Sequence, residues 1–220
     1  MERHFDEELK ELQENILKLG SLAIEAISGS VKALQNNDKK LAQQIINADN
    51  RIDELELIID EKCIDLLALY QPMAADLRFI TTGLKLNAEI ERIGDLAVDV
   101  AQRVIELADK PMLKPLLDIP QLSDVAQKMV REAIDSFIKR DITLAAKVIK
   151  TDNQADELKN RISTELINDY MSKDPSTATR AVSLLLIARH LERICDHASN
   201  IAEDVYYMVQ GKIIRHHHEQ

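Results

Sequence analysis

The sequence predicts an all-α fold of two tandem, sequence-related three-helix bundles, and three observations carry that reading. Only five Gly and five Pro punctuate 220 residues, where usages of roughly 7% and 5% are normal. Apolar residues recur in threes and fours over long stretches, which is the period of one helix face. The second half of the chain then repeats the order of the first, and many of its residues. A doubly wound or barrel fold would need more turn residues, and 45% apolar content excludes disorder. A formal net charge of −10 argues against a nucleic-acid partner. The longest apolar run, near Leu184–Leu186, falls far short of the roughly 20 residues that span a bilayer. No signal peptide opens the chain. Cys63 and Cys195 both sit inside helical patterns and cannot form a disulfide framework. A cytoplasmic, non-membrane-spanning protein is expected.

The elements follow in order. Phe5, Leu9, Leu12, Ile16, Leu19, Ala23 and Ala26 mark a first helix, and Asn36-Asn37-Asp38 a turn, with Asp38 as N-cap of the next. Leu41, Ile45, Ala48, Ile52, Leu55, Ile59, Cys63 and Leu66 define the second, which Gln71-Pro72 breaks. A third runs from near Ala74 to about Ala108. Pro111, Pro115 and Pro120 fall within the eleven residues 110–120, and each removes a donor and disfavours helix in the residue before it. This predicts a first bundle over 1–110, a linker over 111–120 and a second bundle over 121–220. The second bundle holds helices over about 122–139, 142–171 and 176–209, with a break at Asp174-Pro175.

The halves repeat in sequence as well as in order. Shifted by 103 residues, ten of the 22 positions in 38–59 are identical; shifted by 101, eight of the 21 in 84–104 are. Shared periodicity would repeat apolar residues but has no reason to repeat specific acids, so this is a duplicated unit. The repeated acids are Asp49 and Asp53 with Asp152 and Asp156 on the middle helices, and Glu91 and Asp95 with Glu192 and Asp196 on the last ones. A further oxygen donor stands four residues on, Asp99 in one half and Asn200 in the other. Residues four apart share a helix face, where like charges destabilise. Stacks of this kind suit hard or borderline cations, which carboxylate oxygens bind and bridge. A solvated face partnered by Lys and Arg carries single acidic pairs too; duplication on matching helices sets these apart.

Catalytic motifs are missing. There is no Glu-x-x-His of a ferritin-like di-iron site, no Walker A loop, no Gly-x-Ser-x-Gly, no His-Glu-x-x-His and no Cys-x-x-Cys. His190 and His197 read as surface or interface residues, since the first half has Glu89 and Leu96 there. Arg92 and Arg193 read as ion-pair partners of the acids, and Cys195, beside Asp196, as a core residue whose counterpart is Gly94. His216-His217-His218 is left out of the site. A carboxylate-bridged metal enzyme (iron oxidase or hydrolase) and a purely structural interaction module stay open as alternatives.

Gln71-Pro72-Met73-Ala74-Ala75-Asp76-Leu77-Arg78, followed by Glu91-Arg92-Ile93-Gly94-Asp95-Leu96-Ala97, resembles the signature of the PhoU family. The stretch from Ala188 to Glu203 is similar to that family's second copy of the motif, with Cys195 where Gly is usual; in the first copy Asp99 stands where Asn is usual. The resemblance covers essentially the whole chain. It implies two three-helix bundles and polynuclear metal sites (iron, zinc, manganese or magnesium) at the paired acids. It also implies a cytoplasmic, non-enzymatic regulator of phosphate uptake, acting with the ATPase subunit of the phosphate ABC transporter and with a sensor histidine kinase. A homodimer is expected from the resemblance and from a surplus of apolar stripe.

Overall fold

In the computed structural model residues 2–211 are described, so His216–His218 lie outside the described residues. Helix α1 (Glu2–Asn36) turns Leu12, Ile16, Leu19, Ala23 and Ile27 fully inward. Asn37 then takes a left-handed conformation (φ 51°), and Asp38 caps α2 (Lys39–Ala48), accepting from the backbone amides of Lys40 and Leu41 at 3.0 Å. The second copy repeats this connection bond for bond. Arg140 is left-handed (φ 53°), and Asp141 accepts from Thr143 and Leu144 at 2.9 and 3.1 Å. Each cap satisfies two amides that have no partner inside the helix.

The middle segment of the first copy is two helices, α2 and α3 (Asn50–Tyr70), where the sequence pattern suggests one. They meet at Asp49, which keeps helical backbone angles (φ −60°, ψ −36°) while its carbonyl accepts from the amides of Ile52 at 2.7 Å and Asp53 at 3.2 Å. The three-residue bond tightens the turn locally. Helix α4 (Ala74–Leu107) completes the bundle. Helix α5 (Asp118–Lys139) starts earlier than the prolines suggest and takes Pro120 into its first turn, where the missing N–H would have had no helical partner anyway. Helix α6 (Ile142–Glu165) gives way to a wider π-type turn over Leu166–Met171, within the stretch read from sequence as regular helix. A short 3₁₀ turn (Pro175–Thr177) leads into α7 (Ala178–Gln210).

The copies share one continuous core. Helices α4 and α7 lie antiparallel along its centre: Arg78 Nε donates to the Met208 carbonyl at 2.9 Å, and Lys85 pairs with Asp204 at 3.2 Å. Beside them α1 meets α5 so closely that a Cβ on Gly20 would stand 2.2 Å from Ile134 Cδ1. Phe79 of α4 stacks on Phe137 of α5 with centroids 4.5 Å apart. Among the described residues no helix is long and apolar enough to cross a membrane.

Candidate metal centres

Two groups of carboxylates stand where the middle helix of each copy crosses the last. In the first copy Asp49 belongs to the α2–α3 junction, Asp53 to α3, and Glu91 and Asp95 to α4. Close approach of the helices is what gathers them. Gly94 has no Cβ; one placed there would lie 2.9 Å from Ile52 Cδ1 and 3.4 Å from Asp49 Oδ1. Burial, reinforced by the charges of Asp53 and Asp95, pushes the Asp49 carboxyl up to about 6. Glu91 is likewise raised by burial and by Asp95, with Arg92 opposing, and it feels Glu56 and Asp53 too. Arg92 pairs with Asp95 at 2.9 Å and with Glu91 at 3.5 Å, as expected from the sequence.

The second copy assembles Asp152 and Asp156 of α6 with Glu192 and Asp196 of α7. Burial raises Asp196 to about 6, with Glu192, Asp152 and Asp156 adding to it and His197 opposing. Cys195 is fully buried beside the group, and burial and the same four acids push its thiol well above its ordinary range. Cys195 occupies the position of Gly94, and the smaller Ala155 occupies that of Ile52, the residue that Gly94 abuts in the first copy.

Three participants escape a reading by repeated acids. Glu56, one turn after Asp53, is raised by burial, Asp60 and Asp53. Asn87, fully buried on α4, donates to the Glu56 carbonyl and to Asp60 Oδ1, both at 2.9 Å, and its own Oδ1 has no partner. In the second copy Lys159 reaches Glu192 at 3.1 Å and Asp156 at 3.4 Å; burial works against its charge, but the two acids outweigh it and hold it protonated. Comparing the copies position by position exposes this difference, because Glu56 and Lys159 are equivalent under the 103-residue shift.

Asp99 and Asn200 are drawn elsewhere. Asp99 faces His190 Nδ1 at 3.6 Å across the α4–α7 seam. Asn200 donates to Glu89 at 3.3 Å, and the same carboxylate meets His197 Nδ1 at 2.6 Å. These pairs are images of each other under the 101-residue shift, and His190 and His197 are interface residues as their sequence context suggests. The reason is geometric: each four-residue step advances about 40° past a full turn, so the third donor of the stripe rotates away from the middle helix toward the neighbouring bundle. Among the described residues no three His, Cys, Asp or Glu side chains converge tightly enough in this arrangement to hold a metal ion. The donor chemistry nonetheless fits a hard or borderline cation: oxygen donors only, two of them raised to about 6 by burial and by the neighbouring carboxylates.

The PhoU domain matches this chain twice, over residues 16–104 and 119–205. The chain belongs to the PhoU family. A phosphate-specific transport system accessory protein PhoU homolog of Aquifex aeolicus is 42% identical over 211 residues, covering 96% of this chain and 95% of the relative. The homolog of Pseudomonas aeruginosa is 38% identical over 215 residues, with 97% and 88% covered. The crystal structure of PhoU from Pseudomonas aeruginosa superposes with a TM-score of 0.89 over 94% of this chain and 100% of that one, at 38% identity. A phosphate transport system regulatory protein PhoU from Streptococcus pneumoniae gives 0.88 at 30% identity, over 96% and 99%. The two PhoU matches leave out residues 105–118 between the copies.

Proposed function

We propose that this chain is a non-enzymatic regulator of phosphate transport whose two carboxylate groups bind metal cations. It serves as an adaptor between the ATPase subunit of the phosphate ABC transporter and a sensor histidine kinase, and so represses the phosphate-starvation response when phosphate is plentiful. The regulatory part is supported by full-length similarity to phosphate-transport accessory proteins. The metal part is carried by one observation: each copy gathers four carboxylates at the crossing of its middle and last helices, and in each one aspartate, Asp49 in the first and Asp196 in the second, is raised to about 6 by burial among the others. Asp49, Asp53, Glu91 and Asp95 would hold the cation in one copy, and Asp152, Asp156, Glu192 and Asp196 in the other. These residues would hold the ion, which would supply positive charge where the middle helix crosses the last one.

Elemental analysis tests the site. Asp53→Ala with Asp95→Ala is expected to remove the metal of the first copy, and Asp156→Ala with Asp196→Ala that of the second. Equal metal in wild type and both variants would refute it. A phosphate-starvation reporter in a strain lacking the chain tests the role: it should be active at high phosphate, and silent on complementation. Co-purification with the transporter ATPase and the kinase, with and without metal, tests the adaptor.

A further inference from the structure

Helix α3 buries Ile52, Leu55, Ile59, Cys63 and Leu66. At about 100° per residue, the opposite arc carries Leu57, Ile64 and Ala68 in one row and Ile58 and Leu69 in another, with Glu54, Glu61 and Asp65 between the rows. Leu57 is 66% exposed, Ile58 52%, Ile64 59% and Leu69 74%. Singly exposed aliphatics are ordinary on a protein surface, but a contiguous ridge of several marks an interaction site. The second copy serves as an internal control. It builds the same scaffold with Asn160, Arg161 and Ser172 at the positions of Leu57, Ile58 and Leu69, and Arg161 is tied back to Asp118 at 2.9 Å. The second copy keeps one exposed aliphatic, Ile167 at the position of Ile64, so the fold does not require a row of them on this face, and only the first copy exposes a contiguous ridge.

Charge decides the occupant. Among the described residues Glu54, Glu61 and Asp65 have no cationic partner, and Asp53 of the candidate metal centre lies one turn before Leu57, at the edge of the ridge. A second copy of this chain would set one acidic row against another, which is repulsive. We propose that the α3 ridge docks a different protein, through a segment that presents aliphatic side chains interleaved with Lys or Arg. The apolar area is on the order of a few hundred Å², the scale of a functional patch and of a transient contact. The inference stands apart from the metal reading and from the identity of the partner.

The test uses the full chain in its own cells with p-benzoylphenylalanine at Leu57, Ile64 or Leu69, and at Asn160 as control, followed by irradiation and mapping of the crosslinked peptide. The expected result is one partner segment of aliphatic and basic residues reached from all three ridge positions and not from Asn160. Glu61→Lys with Asp65→Lys should cut that yield at least tenfold without changing the melting temperature. Crosslinks to a second copy, to lipid, to a segment without Lys or Arg, or to nothing would overturn the proposal, as would a yield indifferent to the charge reversal. A mapped basic partner outside phosphate transport supports the ridge and removes the adaptor reading. Intact phosphate regulation with no crosslink removes the ridge alone.

Discussion

Four carboxylates occupy equivalent positions in the two copies, yet the helix turn beside them carries Glu56 in the first and Lys159 in the second. That one position changes the local formal charge from −1 to +1. In the second copy Lys159 bridges Asp156 and Glu192 from a largely shielded position. In the first, the compensating cation is Arg92, which is exposed and pairs only at the rim with Glu91 and Asp95, while Glu56 and Asp60 add charge behind. Duplication thus preserved the four carboxylates and let the surrounding charge diverge. On the proposed metal reading the first copy depends more on a bound cation, whereas the second has Lys159 built in against Asp156 and Glu192.

The strongest way to break this comparison is to exchange the two side chains. Glu56→Lys should weaken divalent-cation binding in the first copy about tenfold or more, and Lys159→Glu should strengthen it in the second, since one charge at close range is worth about 1–4 kcal/mol at effective dielectrics between water and protein surface. Isothermal titration with each copy's partner site disabled measures both; no change in either would show that the turn lies outside the electrostatic reach of the ligands. Next in size is the packing beneath. Gly94→Cys should destabilise by about 1–3 kcal/mol through overpacking against Ile52, and adding Ile52→Ala, which recreates the Ala155–Cys195 pair of the second copy, should recover most of it. Denaturant unfolding of the four-member cycle gives the coupling.

The acid response is smaller. Asp49 and Asp196 titrate near 6 in the fold against an ordinary 3.8, so the folded chain binds more protons than the unfolded one between those values. Their contribution is fully present below 3.8 and is lost as pH rises through about 6. Solvent screening of these half-buried groups leaves on the order of 1 kcal/mol each. In chelator, the melting temperature at pH 5 should therefore exceed that at pH 7.5 by a few degrees. Added divalent cation at pH 7.5 should close that gap. The smallest effect is a control: Asp38→Ala and Asp141→Ala should each cost about 1 kcal/mol, and equally, because the two caps have the same bonds. Unequal losses would show that the copies differ even where their geometry matches.

Much of this was readable before any coordinates, for physical reasons that apply residue by residue. Helix faces follow from apolar spacing, Asp38 and Asp141 are caps because their side chains reach amides two and three residues on, and repeated acids stand out against a merely periodic background. What escaped depends on the neighbour. Asp99 and Asn200 continue the stripe of repeated acids, but the helical advance carries them off the middle helix, and the path of the opposing bundle supplies His190 and Glu89 as their partners. Asn87 looks like any polar helix residue until burial gives its amide two acceptors. Pro120 signals a break, yet in a first turn it is harmless.

The seam between α4 and α7 has one more consequence. Its contacts are mirrored, Asp99 to His190 on one side and Asn200 to Glu89 on the other, which is the self-complementary pattern of an isologous two-fold dimer. Here the partners are joined in a single chain, and the proline-containing connection between Leu107 and Asp118 acts as a tether that raises the concentration of one for the other. Cutting that tether should leave two fragments that still find each other.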